Sequence, residues 1–379
     1  MSITLLEIRR RQERLRRALA AAGFKAALVV GRGFFDRPGS LAYFTGHIPP
    51  FISAPFDTAE GGMGLAAAII PVLGDPVLLE MFPTRPELVA AEIRATPNVV
   101  AGTIAALREK GLDAGSLAVV DGDLLPWAFA RLVQEALPGL RLAPFDAAAA
   151  RMRAIKSEAE VALIRQAALV ADAGLAAVRE ALRPGVTERA LCAIGQQAAL
   201  AAGADFVRYL RVHSGPWTLS GARWPQAMDR VIQEGEYVAV DIIGAAEGYG
   251  FDVLRCFVAG APTEAQRRLT EAATAVTDAM VQACVPGATG RQIYAAGQRR
   301  AEELGYLEAL DGFIGHGIGL ETMEWPLLHP DDDAPLEPGM VICIEPGLKV
   351  EGVGGARIEE EVVVTPDGPV VLTVTPRTL

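Results

Sequence analysis

Tyr237-Val238-Ala239-Val240-Asp241-Ile242-Ile243-Gly244 is followed closely by Tyr249-Gly250-Phe251-Asp252-Val253-Leu254. Each segment is apolar apart from one acid, the pattern of a strand buried on both faces rather than of a solvated surface strand. The two acids are 252 − 241 = 11 residues apart. That separation fits two adjacent antiparallel strands joined by a turn over Gly244–Gly250, with both carboxylates on one face. Two buried carboxylates repel one another unless one is protonated or a cation lies between them. A metal ion is the economical solution.

The pattern recurs downstream as Gly339-Met340-Val341-Ile342-Cys343-Ile344-Glu345, with Glu345 offset from Asp241 by 345 − 241 = 104. A turn recurs too. Arg183-Pro184-Gly185-Val186-Thr187 returns as Val285-Pro286-Gly287-Ala288-Thr289, an offset of 286 − 184 = 102, and each copy opens a helix. Asp252 pairs in turn with Glu359, at 359 − 252 = 107. Matching offsets predict two related halves about a pseudo-twofold axis, each giving a strand acid and then a second acid on a following strand. His316 sits in Gly315-His316-Gly317-Ile318-Gly319, where flanking glycines let backbone approach closely and leave the imidazole projecting. Near the last acid, alternation places Arg357, Glu359 and Glu361 on one face and leaves open which glutamate points inward. Asp241, Asp252, His316, Glu345 and one acid of the Glu359/Glu361 pair are together a hard, oxygen-rich ligand set. It suits two Mn²⁺-class ions that activate a water between them.

The chain has 379 residues, enough for two or three domains, with 51% apolar and 21% charged residues, as in a folded globular protein. A net charge of −11 argues against nucleic acid as a partner. The basic run Arg9, Arg10, Arg11, Arg14, Arg16 and Arg17 alternates with Leu5, Ile8, Leu15 and Leu19 and reads as the solvated face of an amphipathic helix. With no signal peptide in view and apolar runs such as Ala66–Leu73 far short of a bilayer span, no membrane role is expected. The scattered Cys192, Cys256, Cys284 and Cys343 read as reduced thiols, which suggests a cytoplasmic enzyme.

Before residue 150 the chain alternates element types. Strand candidates are Ala26–Val30, Ala66–Val72, Pro76–Leu79, Val99–Ala101 and Leu117–Val120; helical patterns cover residues 4–22, Arg85–Ala95 and Pro126–Ala136. The reading is α/β with a mixed sheet. Thr45–Met63, rich in Gly, Pro and Phe, reads as a long functional loop. Ser157 with Glu160 forms a capping box that starts a helix running to about Leu182. The boundary is therefore expected near 150.

These stretches resemble the creatinase, prolidase, aminopeptidase P and methionine aminopeptidase superfamily, metallopeptidase family M24. The resemblance rests on Arg153-Ala154-Ile155-Lys156-Ser157, Asp241-Ile242-Ile243-Gly244, Gly315-His316-Gly317-Ile318-Gly319-Leu320-Glu321, Ile344-Glu345-Pro346-Gly347 and Ala356-Arg357-Ile358-Glu359-Glu360. It implies an α+β chain: a creatinase/prolidase-like N-terminal domain over 1–150 and a pita-bread catalytic domain over 155–379. It implies that Asp241 holds one metal through both oxygens, that His316 and Glu345 hold the other, and that Asp252 and Glu359 bridge them. Mn²⁺ is favoured by the oxygen-rich set, with Co²⁺ or Zn²⁺ also fitting. Glu345 and His316 would serve catalysis, Glu345 as proton shuttle, with Arg357 orienting Glu359 or the substrate. A homodimer is implied as well, with Thr45–Met63 a segment for closing a neighbour's site.

The chain departs from the proline-specific members at two positions. Their second histidine, seven residues after the metal histidine, is here Met323, and their histidine about seventeen residues before the first aspartate is Trp224. His213 and His329 are possible substitutes, and Trp217, Trp224, Phe251 and Trp325 could line an aromatic pocket for a compact or cationic molecule. The expected activity is dinuclear hydrolysis of a C–N bond in an Xaa-Pro peptide, with His213, Trp224, Met323 and Trp325 at the substrate. The alternative is a non-peptidase of the same superfamily, a hydrolase or lyase of amidine, ectoine-like or sulfonium compounds.

Overall fold

A computed structural model describes residues 3–56, 62–83, 85–220 and 224–378. The chain divides into two compact units, Ser2–Arg153 and Ala154–Leu379.

In the first unit the strands are β1 (Ala26–Arg32), β2 (Leu65–Pro71), β3 (Val77–Glu80), β4 (Glu92–Ala95), β5 (Gly115–Val120) and β6 (Leu140–Pro144). They form one mixed sheet in the order β4-β3-β2-β1-β5-β6. The helices are α1 (Leu5–Ala21), α2 (Gly39–Thr45), α3 (Val99–Glu109), α4 (Trp127–Ala136) and α5 (Asp146–Ala154). β1 and β2 are buried on both faces, as expected of a central strand pair covered by helices.

Three expectations need correction here. Arg85–Ala95 is not a helix: Pro86 starts a short 3-10 turn, and β4 then adds to the sheet edge beside β3. Val99–Ala101 is not a strand but the first turn of α3, because Asn98 caps it by accepting a hydrogen bond from the Ala101 N–H. Arg11 is not solvated. It is buried, paired with Glu7 at 2.7 Å and placed over the Tyr43 ring at 4.2 Å. Of the long loop Thr45–Met63, residues 57–61 lie outside the described residues; its first residue instead ends α2.

The second unit opens with α6 (Glu158–Ala181), whose capping box joins Ser157 and Glu160, followed by α7 (Glu188–Ala201). An antiparallel sheet comes next, β7 (Phe206–Ser214), β8 (Tyr237–Ala246) and β9 (Tyr249–Val258). The second half repeats the plan: α8 (Glu264–Gln282), α9 (Gly290–Glu303), then β10 (Gly315–Gly317), β11 (Glu324–Leu328), β12 (Val341–Ile344), β15 (Glu360–Thr365) and β16 (Gly368–Val371) in the order β11-β10-β12-β15-β16. Between β12 and β15 lies a separate hairpin, β13 (Gly347–Val350) with β14 (Gly354–Arg357).

The recurring turn does the same work in both halves. Gly185 and Gly287 take φ of +90° and +86°, and their amides donate to the carbonyls of Ile232 and Leu336. Thr187 and Thr289 then cap α7 and α9. Small residues bring α6 down onto the sheet: a Cβ at Gly174 would lie 2.6 Å from the Ile242 side chain. α6 is long and apolar enough to cross a bilayer, yet its buried side chains pack in the same core as β8 and β9. The β8–β9 turn is tighter than Gly244–Gly250. Pairing continues to Ala246↔Tyr249, leaving Glu247 and Gly248, both at positive φ, as a two-residue turn.

Candidate metal centre

Register decides which side chains meet. Across β7-β8-β9, Arg211 stands opposite Asp241 and Asp241 opposite Leu254; Ile243 stands opposite Asp252. Asp241 and Asp252 therefore share one face as diagonal neighbours, while Ile242 turns to the helices. In the other sheet His316 stands opposite Cys343, and Cys343 opposite Glu361, one row on one face. Glycine is required beside the histidine, since a side chain at Gly315 would run into the Cys343 carbonyl. The two sheets meet at β9 and the start of β15. The Glu359 N–H donates to the Leu254 carbonyl at 3.1 Å, and the Asp252 N–H donates to Glu361 Oε1 at 2.9 Å.

Asp241, Asp252, His316, Glu345 and Glu359 are all buried. One carboxylate oxygen each from Asp241, Asp252 and Glu359 lies within 4.8 Å of the others. His316 Nε2 lies 3.4 Å from Glu345 Oε1 and 3.6 Å from Asp252 Oδ2. The Nδ1 atom is 3.0 Å from the Gly317 carbonyl, an acceptor, so the proton sits on Nδ1 and Nε2 turns to the acids. Alternation left Glu359 and Glu361 open. Glu359 is the one that joins Asp241 and Asp252, while Glu361 receives the Asp252 amide.

The electrostatics are those of a site built for cations. Burial pushes Asp252 up to about 7, helped by Asp241 and Glu345 and opposed by His316. Burial also lifts Glu359 well above the carboxylate range, reinforced by Asp252, Glu345 and Asp241. Burial disfavours charge on His316, but Asp252 and Glu345 outweigh it and raise its pKa well above the ordinary value. Among the described residues, neither carboxylate oxygen of Glu359 has a hydrogen-bond partner, nor does His316 Nε2. Buried polar atoms without partners are costly, and divalent ions among these hard donors would satisfy them. The donor set fits.

Arg357 makes its hydrogen bonds to Glu345 and Asp311 rather than to Glu359. Its guanidinium donates to Glu345 Oε2 at 3.1 Å and also bonds Asp311, which holds Glu345 in place. Sequence reasoning missed Arg211. Its guanidinium lies over the Tyr209 ring at 4.5 Å and bonds Asp241, a pairing legible only once the β7–β8 register is known. Cys343 was read as a buried thiol, and it stands within 4.8 Å of ligand atoms of His316 and Glu359.

The residues expected at the substrate lie in different settings. His213 is buried, with Nε2 3.0 Å from the Pro225 carbonyl, and with Trp217, Leu254 and Arg357 it lines a cavity of about 40 Å³. Trp224 is 79% exposed and Met323 53% exposed, while His329 is also on the surface. Trp325 packs on the core of the second half and Phe251 within the core of the first, so no aromatic pocket forms from the four rings.

Comparison with known proteins decides the family. Residues 162–366 match metallopeptidase family M24, and residues 11–155 match the creatinase/prolidase N-terminal domain. The chain belongs to metallopeptidase family M24. Within M24 it is 32% identical over 368 residues to the probable dipeptidase PepE of Mycobacterium bovis, covering 93% of this chain and 91% of that one. It is 32% identical over 228 residues to the Xaa-Pro dipeptidase of Pyrococcus horikoshii, a match spanning 60% of this chain and 65% of the relative. Among solved structures, the Xaa-Pro dipeptidase from Bacillus anthracis superposes with a TM-score of 0.83 at 26% identity, covering 98% of this chain and 99% of that chain. The dipeptidase PepE from Mycobacterium ulcerans gives 0.80 at 29% identity, covering 100% and 99%. The M24 domain here has the pita-bread architecture and follows the creatinase/prolidase N-terminal domain in sequence.

Proposed function

We propose that this M24 chain is a dinuclear metal-dependent peptidase that cleaves the C–N bond of small Xaa-Pro peptides. The observation that carries the reading is the buried convergence of Asp241, Asp252, His316, Glu345 and Glu359, with the Glu359 carboxylate lacking a hydrogen-bond partner among the described residues. The names of the relatives, Xaa-Pro dipeptidase and dipeptidase, support the substrate class.

Two divalent ions held by those five residues would polarise the scissile carbonyl and lower the pKa of a nucleophilic water. The protein's own groups do the rest. Glu345 takes a proton from the attacking water and returns it to the leaving nitrogen. Arg357, anchored by Asp311, keeps the Glu345 carboxylate turned toward His316. The Gly317 carbonyl fixes the His316 ring so that Nε2 faces the acids. Mn²⁺ is the ion that best suits an oxygen-rich set. A homodimer in the cytoplasm completes the reading, the location supported by four free cysteines.

Trp224 and Met323, where proline-specific relatives carry histidines, favour a second reading: a hydrolase or lyase of a compact small molecule. Xaa-Pro dipeptides and longer Xaa-Pro peptides assayed with Mn²⁺ or Co²⁺ separate the two. Turnover of any Xaa-Pro substrate supports the peptidase. Inactivity across the panel with metal bound selects the small-molecule enzyme.

A further inference from the structure

β12 lies between β10 and β15, and its pairing sets His316, Cys343 and Glu361 in one row on the face that carries the candidate metal centre. The Cys343 sulfur stands within 4.8 Å of a ligand atom of His316 and of a Glu359 oxygen, and all three side chains are buried. Among the described residues, neither Glu359 carboxylate oxygen nor His316 Nε2 has a hydrogen-bond partner. The thiol's own polar contact is long, 3.9 Å to the Asp252 carbonyl. An imidazole, a carboxylate and a thiol so placed form a mixed N/O/S donor set, which favours softer ions than an all-oxygen and nitrogen set.

We infer that Cys343 gives the His316–Glu359 side of the centre a sulfur ligand, and so makes that position a site for a thiophilic divalent ion such as zinc or cadmium. The inference rests on the two-metal reading above and concerns only which ion one position prefers. Zinc–sulfur and zinc–nitrogen bonds of about 2.3 and 2.0–2.1 Å put tetrahedral donors roughly 3.6 Å apart, so a side-chain shift of about an ångström closes the cluster. On binding, the ion takes the place of the thiol proton, which passes to solvent.

The test uses the full chain, stripped of metal and reloaded in turn with manganese, zinc and cadmium. X-ray absorption of the zinc-loaded protein should show a sulfur neighbour at about 2.3 Å. Cadmium should raise an ultraviolet thiolate-to-metal band that Cys256→Ser keeps and Cys343→Ser loses. Cys343→Ser should also weaken cadmium binding tenfold or more while leaving manganese stoichiometry intact. A zinc shell of nitrogen and oxygen alone, or a cadmium band unchanged in Cys343→Ser, overturns the inference while manganese loading upholds the two-metal reading. Failure of manganese to bind the unaltered chain overturns both. The absorption measurement needs no variant, so it decides the matter even if Cys343→Ser fails to fold.

Discussion

β9 and the β15 segment bury charge on both of their faces, and the two faces follow different rules. On one, Arg255 bonds Glu360 at 2.9 Å and the Thr375 carbonyl at 3.2 Å, Arg377 bonds Glu360 at 2.6 Å, and Thr373 adds a further bond to Glu360. That face supplies its own cations and is a closed structural network. On the other, Asp252, Glu359 and Glu361 join Asp241 and Glu345, with Arg211, Arg357 and His316 among their facing cationic groups. The Glu359 carboxylate, central to the cluster, has no hydrogen-bond partner among the described residues. Three residues along β9 and one along the β15 segment separate a completed ion-pair network from an acid-rich cluster suited to added cations. Burial of charge alone therefore does not mark a metal site; its incompleteness does.

Substitutions that treat the two faces alike should have opposite signatures. The largest effect belongs to Asp252→Ala. Loss of a bridging carboxylate should cut peptide turnover by about 10³-fold or more, several kcal/mol of transition-state stabilisation. Metal-free, the same variant should melt at or above the parent temperature, because one of several mutually repelling carboxylates has gone. A metal-free variant that melts far lower would erase the contrast between the faces. Arg255→Met tests the closed face. It removes the more deeply buried of the two guanidiniums that hold Glu360, leaving Arg377 and Thr373, and should cost about 1–3 kcal/mol in urea unfolding; an unchanged urea midpoint would remove that face from the account.

Smaller effects refine the open face. Arg357→Gln frees Glu345 without removing a ligand, and should lower kcat/KM or manganese affinity about 10–100-fold, read by steady-state kinetics and metal titration. A wild-type result would leave Glu345 positioned by other contacts.

The pH dependence of the stripped protein is the mildest probe. Asp252, raised to about 7 in the folded chain, keeps its proton longer than the unfolded chain does, so stability falls as pH climbs from the ordinary carboxylate range through 7. His316, raised above its ordinary value, contributes stability that is full below that value and lost as pH rises through the folded one. Both trends have the same sign. Metal-free protein should melt lower at about pH 8 than at about pH 5, by about 2–4 °C for each kcal/mol lost. Manganese should stabilise more at the higher pH; equal stabilisation at both would show that protons and metal do not compete.

Much of this organisation was legible before any coordinates. The offsets between the turns and between the acids expose the two halves, because a turn needs glycine at positive φ and a helix needs a capping hydroxyl at Thr187 and Thr289. Strand alternation aligns Asp241 with Asp252. Partners set by pairing between distant strands stayed hidden: Arg211 opposite Asp241, Cys343 opposite His316, and Asp311 on Arg357. Local chemistry also misled where one residue overrode periodicity. Asn98 turned an apolar run into a helix, and Pro86 broke a helical pattern into a turn and an edge strand.

Manganese titration of the stripped full chain, with stoichiometry and melting temperature read together, tests the central claim most directly. The account predicts two ions bound per chain and a melting temperature that rises with manganese concentration. No specific binding and an unchanged melting temperature would contradict it.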